Sequence, residues 1–244
     1  MSVIKGLLGL LVGATLSTSA LAEGTVLVAG STGQTGRLIV TALLENGFNV
    51  RALSRSAERA AGLGDGIEPA VADVTNPSSL SGIMDGVDAV ISAIGGRRPI
   101  GANGFEAVDW KGNRALVDAA KAGGVNRFLL MSGGSAGRDG FMHTLPIAPY
   151  PWKAKAEDYL RQSGLAYTVV APGGLRDEPE GRYGVRLARR VDYVVGQINR
   201  GDVAEILVAS LKDNRTIGKT ITVINDETRV PDSWRAELSG FPRD

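Results

Sequence analysis

Residues 26–37 read VLVAGSTGQTGR, and this stretch constrains the chain more than any other. A valine-rich run stops at Gly30. Glycines follow at Gly33 and Gly36, and the amphipathic LIVTALLENG comes next. The order is strand, tight turn, helix start. A glycine at the first position lets the chain turn sharply, and one at the second lets backbone approach a pyrophosphate. The third lets helix and strand pack closely. The free N–H groups and positive dipole end of the helix then receive the anion. Gly30, Ser31, Thr32, Gly33, Gln34, Thr35 and Gly36 are therefore the candidate phosphate loop of a dinucleotide site.

The cofactor choice rests on residues 48–56, FNVRALSRS, which alternate into a second strand ending at Leu53. An NAD site needs a carboxylate near this strand's end for the adenosine ribose hydroxyls. The chain offers Arg51, Ser54, Arg55 and Ser56 instead. A guanidinium beside hydroxyls suits a 2′-phosphate. The reading is NADP(H), with Arg55 the foremost candidate and Arg51 either a second contact or a solvated charge.

From Thr25 onward apolar runs alternate with helical patterns. That alternation predicts an α/β fold, a doubly wound parallel sheet of the Rossmann type, in one domain over 24–244. The expected strands are Thr25–Ala29, Asn49–Leu53, Ile67–Val71, Ala89–Ala93, Arg127–Met131 and Tyr167–Val170, with TITVI at 220–224 as the last. Helices are expected at 34–46, 56–62, 77–84, 103–122 and 151–163, and a further one in INRGDVAEILVASL, capped by Asp202. Residues near 175–200 hold many charges and glycines with little periodicity, at the place where a fold of this type carries a small substrate-covering region. The cluster Arg186, Arg189 and Arg190 lies there, either a draw for an anionic substrate or a solvated face.

Several classes fall away on composition. The 244 residues carry 27 basic and 26 acidic side chains without a concentrated basic face, which argues against nucleic acid. With no cysteine there is no disulfide or thiol chemistry, and one histidine leaves no plausible metal site. That residue, His143, reads as a loop residue rather than a general base. Residues 1–22, MSVIKGLLGLLVGATLSTSALA, have one lysine, an apolar stretch from Gly6 to Leu16 and an A-x-A ending. This is the grammar of a secretory signal peptide, or of an uncleaved membrane anchor, and predicts an exported or membrane-associated protein; otherwise the chain is cytoplasmic. It lies apart from the fold. Oligomeric state is not legible.

The GxxGxxG spacing, with Ser31-Thr32 before Gly33 and Thr35-Gly36-Arg37 after it, resembles the atypical short-chain dehydrogenase/reductase family, in its NAD(P)-binding, NmrA-like branch. The resemblance covers nearly all of 24–226 and implies further roles. In VADVTNPSSL, Asp73 would hold the adenine amino group and Val74 would pack on the ring; the alternative for Asp73 is a helix cap. In AVISAIGG, Ala93, Ile94 and Gly95 would pass under the adenosine and pyrophosphate. Pro172 and Gly173 would form the nicotinamide-side turn, although Ala171 stands where an arginine often precedes the proline.

The family's chemistry uses serine, tyrosine and lysine. RFLLMSGGSAG places Ser132 at the serine position, either polarising a carbonyl or capping a loop. YPWKAKAEDYLRQSGLAYTVVAPGGL is similar to the pattern K-x-x-x-E-x-x-L-x-x-S-G-L-x-Y-T. Tyr150 is followed by Ala154 at the four-residue offset, so YxxxK is absent. Lys155, two residues before Glu157, is taken as the lysine for the nicotinamide ribose, and Tyr150 as an acid or a packing aromatic. The resemblance implies an NADPH-dependent reductase of a small carbonyl or quinone-like compound. The alternative is a non-catalytic, cofactor-binding redox sensor or assembly factor.

Overall fold

The structure is a computed structural model and describes residues 24–138 and 145–244. The leader-like segment and His143 lie outside the described residues. Strand β1 (Thr25–Ala29) buries both of its faces, with Val26 and Val28 toward one core layer and Leu27 and Ala29 toward the other. Burial on both faces is why it reads as a continuous apolar run rather than an alternating one. The same holds for β4 (Ala89–Ser92) and β5 (Arg127–Met131). With β2 (Asn49–Ser54), β3 (Ile67–Val71), β6 (Ala166–Pro172), β8 (Gly184–Ala188) and β10 (Lys219–Asp226) they form one sheet, ordered β3-β2-β1-β4-β5-β6-β10-β8. Every pairing is parallel except β8 on β10. The expected doubly wound parallel sheet is present.

One layer comprises α1 (Gln34–Glu45) and, packed against it, α5 (Arg200–Lys212). Ile39, Leu43, Ile206, Leu207 and Leu211 face the sheet there. On the opposite side lie α3 (Asn113–Ala122) and α4 (Tyr150–Gln162), whose Leu116, Val117 and Leu160 join Phe128 and Val169. The chain leaves β1 in one direction to β2 and β3, and resumes on its other side at β4. The strand order therefore reverses between β1 and β4, where ligands of open α/β sheets bind.

Three expectations are corrected. The helix expected at 77–84 is a single 3₁₀ turn, Pro77–Leu80. There the Ser79 hydroxyl donates to the Asp73 and Asn76 carbonyls, and Gly82 takes φ +73°. Side chains that bond to local backbone compete with helix propagation. The helix expected at 103–122 opens as a seven-residue π-helix, Glu106–Gly112, before continuing as α3. Asp202 does not cap α5, since Asn199 holds that position. Its carboxylate instead accepts from Gly181 N at 2.7 Å and Asn225 Nδ2 at 2.7 Å, fastening the 177–183 loop to β10. Short strands β7 (Gly174–Arg176) and β9 (Gln197–Asn199) pair beside the main sheet. A final helix, α6 (Trp234–Gly240), packs Trp234 and Leu238 into the core.

Candidate functional site

At the switch point β1 runs into the glycine loop. Gly30 takes φ +83°, in the left-handed region, and a Cβ there would lie 2.8 Å from Ala93 O. A Cβ on Gly36 would overlap the Gly30 carbonyl oxygen, so the third glycine is what lets α1 sit directly on the turn. Gly33 is the extended N-cap of α1, with no side-chain cap and no acid in the first turn. The helix's leading N–H groups thus face the crevice without an internal competitor for an anion.

The crevice has a volume of about 650 Å³. Gly30, Thr32, Gly33 and Gln34 form one wall. Ala93, Ile94 and Gly95, beyond β4, form the floor, while Asp73 and Val74 stand at the far end. A Cβ on Gly112 would lie 2.9 Å from Val74 Cγ2, so Val74 is wedged between the π-helix and the opening. Asp73 is not a helix cap, for Asn76 starts the 3₁₀ turn. Its Oδ1 accepts from Thr75 N at 2.9 Å and Thr75 Oγ1 at 2.8 Å. Partial burial raises its pKa, but these two bonds and the charge of Arg55 outweigh it and hold the carboxyl below its ordinary value. Ser31 and Thr35 are buried behind the loop, and Ser31 donates to Leu53 O at 3.0 Å, tying the loop to β2.

The arginines sort by face. Arg51 turns away from the crevice, pairing with Glu68 at 2.9 Å and donating to Ile83 O and Asp85 O. Arg55 lies in the crevice wall, donating to Asn103 Oδ1 at 2.8 Å. Beside it stands Arg59, one helical turn on in α2 (Ala57–Ala61), which donates to Thr32 Oγ1 at 3.2 Å. The Arg55–Arg59 spacing of four was the signal for this second guanidinium. The arginines of the 186–190 cluster each have a carboxylate partner: Arg186 pairs with Asp226, Arg189 with Asp192, and Arg190 with Glu157.

A second group gathers at the carboxyl end of β5, beyond the crevice's Gly95 end. Ser132 is buried and donates its hydroxyl proton to Glu157 Oε1. The same oxygen accepts from Arg190, which also donates to the carbonyl of Gly134 at 3.0 Å, and Arg161 reaches the other carboxylate oxygen at 2.9 Å. Tyr193 packs on Gly134, leaving no room for a Cβ there. Burial pushes its phenol above the ordinary tyrosine value, with Tyr150 adding to the effect and a Gly196 backbone bond opposing it. Pro172 and Gly173 adjoin this group, Pro172 O accepting from Gly134 N and Gly173 N donating to Val223 O.

The two lysines of α4 separate. Lys155 is exposed, its ammonium 4.5 Å from the centre of the Trp152 ring. Lys153 points inward. Its Cδ and the Tyr150 ring lie 3.5 and 3.7 Å from where a Gly133 Cβ would stand, and its ammonium is 2.8 Å from the buried Asp109. Residues two apart on a helix face nearly opposite ways. The K-x-x-x-E spacing, counted back from Glu157, falls on Lys153 rather than Lys155. Asp109, Asn103 and Tyr193 had no comparable signal.

A glycine cradle that a Cβ would fill, an uncapped helix start and a guanidinium pair at one end fit a dinucleotide along its length. A family model described as NAD(P)H-binding matches residues 30–214, from the first glycine to the end of α5. The chain belongs to this NAD(P)H-binding family. The likeness to the atypical short-chain reductases holds accordingly. Among its relatives is sanguinarine reductase of Eschscholzia californica, 34% identical over 77% of this chain and 84% of the relative. Another is the photosystem II assembly factor Ycf39 of Guillardia theta, 31% identical over 87% of this chain and 67% of that protein. A solved structure from Bacillus halodurans, named as a candidate NAD-dependent epimerase/dehydratase, superposes with a TM-score of 0.77. It is 26% identical and covers 89% of this chain and all of its own. Among the described residues no helix is long and apolar enough to cross a membrane, and no cluster of acids and histidine could hold a metal ion.

Proposed function

We propose that the chain is an NADPH-dependent reductase of a small carbonyl or quinone-like compound. The observation that carries this reading is Lys153, whose ammonium pairs with the buried Asp109 while its stem and the Tyr150 ring both reach the Gly133 turn after β5. A nicotinamide held here would supply hydride to the substrate carbon. Lys153, rather than Lys155, holds the nicotinamide ribose, and Tyr150 donates a proton to the substrate oxygen. Ser132 acts at one remove: its proton is committed to Glu157, so it fixes the β5 loop instead of polarising the substrate.

NADP(H) is favoured over NAD(H) because Arg55 and Arg59 stand at the end of β2 where an NAD site would keep a carboxylate. Arg55→Ala is expected to weaken NADPH by about 1.5–3 kcal/mol, the worth of a charge-assisted hydrogen bond, and to leave NADH almost unchanged. Calorimetric titration of both cofactors checks this, and equal losses for both would remove the 2′-phosphate from this end of the crevice.

One observation favours a second reading. Ser132 has its proton engaged, and Tyr150 and Lys153 are three residues apart rather than four. The chain would then bind the cofactor as a sensor or assembly factor without turnover, and its relative Ycf39 bears such a name. Residues 24–244 assayed for NADPH oxidation against quinones, flavins and aldehydes separate the two. Turnover of any supports the reductase. NADPH binding without turnover of any supports the sensor. For location, we propose that residues 1–22 direct the chain to or across a membrane. A mature N-terminus at Glu23, or full-length protein in the membrane fraction, is the expected result; intact chain in the soluble cytoplasmic fraction would reject it.

A further inference from the structure

Asp109 is 1% exposed, in the middle of the π-helix Glu106–Gly112. A carboxylate at that depth needs partners to offset its lost hydration. It has two, and they belong to different elements. Oδ2 accepts from Gly96 N at 2.8 Å, at the start of the loop that follows β4. Oδ1 lies 2.8 Å from the Lys153 ammonium, an ion pair by distance, and accepts no hydrogen bond. The backbone that carries it is also tied down. The Asp109 carbonyl accepts from Asn113 Nδ2 at 2.8 Å, and Asn113 Oδ1 accepts from the buried Ser92 hydroxyl at 2.6 Å. π-helical turns recur at functional sites. This one turns Asp109 inward toward β4 and α4, while Glu106 and Lys111 on the same segment pair with each other at the surface.

We propose that Asp109 is a positioning residue for the cofactor. It aims the Lys153 ammonium at the nicotinamide-ribose end of the crevice, and through Gly96 it ties that ammonium to the loop over 96–105. The proposal rests on the reading of Lys153 as the ribose-binding lysine. A lysine side chain has four rotatable bonds and three donor protons. The ion pair with Asp109 restrains that freedom and holds the ammonium where its donors would meet a pair of vicinal hydroxyls. The loop tied by Gly96 also carries Asn103, the partner of Arg55, so the carboxylate that pairs with Lys153 is linked through that loop to the guanidinium end of the crevice.

The test is a double-mutant cycle read by NADPH affinity in calorimetry, with no catalytic assay required. Asp109→Asn keeps an acceptor for Gly96 N but loses the ion pair, and should weaken NADPH roughly tenfold, within the range for a hydrogen bond to a charged group. Lys153→Met should weaken it by a similar factor. The double variant should bind no worse than Lys153→Met alone, because the carboxylate acts through the lysine. Should Asp109→Asn not fold alone, Asp109→Glu takes its place: it keeps the charge but displaces it from Lys153 and should likewise weaken NADPH, and undiminished affinity there overturns the proposal. A buried residue with only a structural role would lower the melting temperature and spare the affinity. Unchanged affinity in folded Asp109→Asn, or a further loss in the double variant, overturns the proposal while leaving Lys153's role intact. Unchanged affinity in Lys153→Met overturns the ribose reading, and the proposal with it.

Discussion

Gly33→Val is expected to fold and to lose NADPH, whereas Gly36→Val is expected to lose both the cofactor and a substantial part of its stability. The difference follows from what each new side chain meets. A Cβ on Gly33 would stand 3.2 Å from Gly30 O, a crowding that a small backbone shift relieves. Its two methyls would then occupy the crevice wall where a pyrophosphate must approach the backbone. The loss should exceed about 100-fold in affinity, or roughly 2.7 kcal/mol. At Gly36 the obstruction is the backbone of Gly30 itself, and no side-chain rotation relieves it. Helix α1 would have to lift from β1, opening the layer that Ile39 and Leu43 close, at a cost of about 1–3 kcal/mol or more. Thermal melts with calorimetric titration of both variants measure the two effects separately. Undiminished NADPH affinity in folded Gly33→Val would mean that the glycine loop does not hold the pyrophosphate.

The parts of this chain that its sequence made legible are those where local pattern and tertiary role coincide. β1, β3 and β5 fall on their expected bounds because short β-branched and apolar runs between turn residues have few other uses in an α/β chain. The glycine loop is legible because close backbone approach leaves a compositional mark. What stayed hidden depends on contacts distant in sequence. Ser79 could have belonged to a helix until its hydroxyl found the Asp73 and Asn76 carbonyls. Arg51 and Arg55 look alike in a strand ending, yet only the fold shows that Arg51 meets Glu68 and the carbonyls of residues 83 and 85. Ser132 stands where the family's serine stands, but its proton goes to a glutamate 25 residues away. Asp109 lies in a stretch expected as plain helix, and a π-helical turn changes which side chains face inward.

The lysines of α4 give the sharpest test of that difference. Lys153→Met should lower NADPH affinity and, where a substrate is found, turnover together, since a ribose contact serves ground state and transition state alike. Lys155→Met should change neither. It removes an exposed ammonium stacked on Trp152, worth about 0.5–1 kcal/mol of local stability at most. Ser132→Ala should also spare the affinity. It deprives Glu157 of one donor but leaves Arg161 and Arg190 in place, so the expected cost is about 1 kcal/mol in folding stability. Tyr150→Phe then isolates the proton. With Lys153 intact, a large loss of turnover at unchanged NADPH affinity assigns the acid to Tyr150 despite the three-residue spacing, and full activity assigns it to solvent or to the substrate itself. The pattern that would overturn the placement is the reverse pair: Lys155→Met losing the cofactor while Lys153→Met keeps it. That outcome would require α4 to present its Trp152 face to the nicotinamide, and the Lys153–Asp109 pair would become a structural tie between α4 and the π-helix.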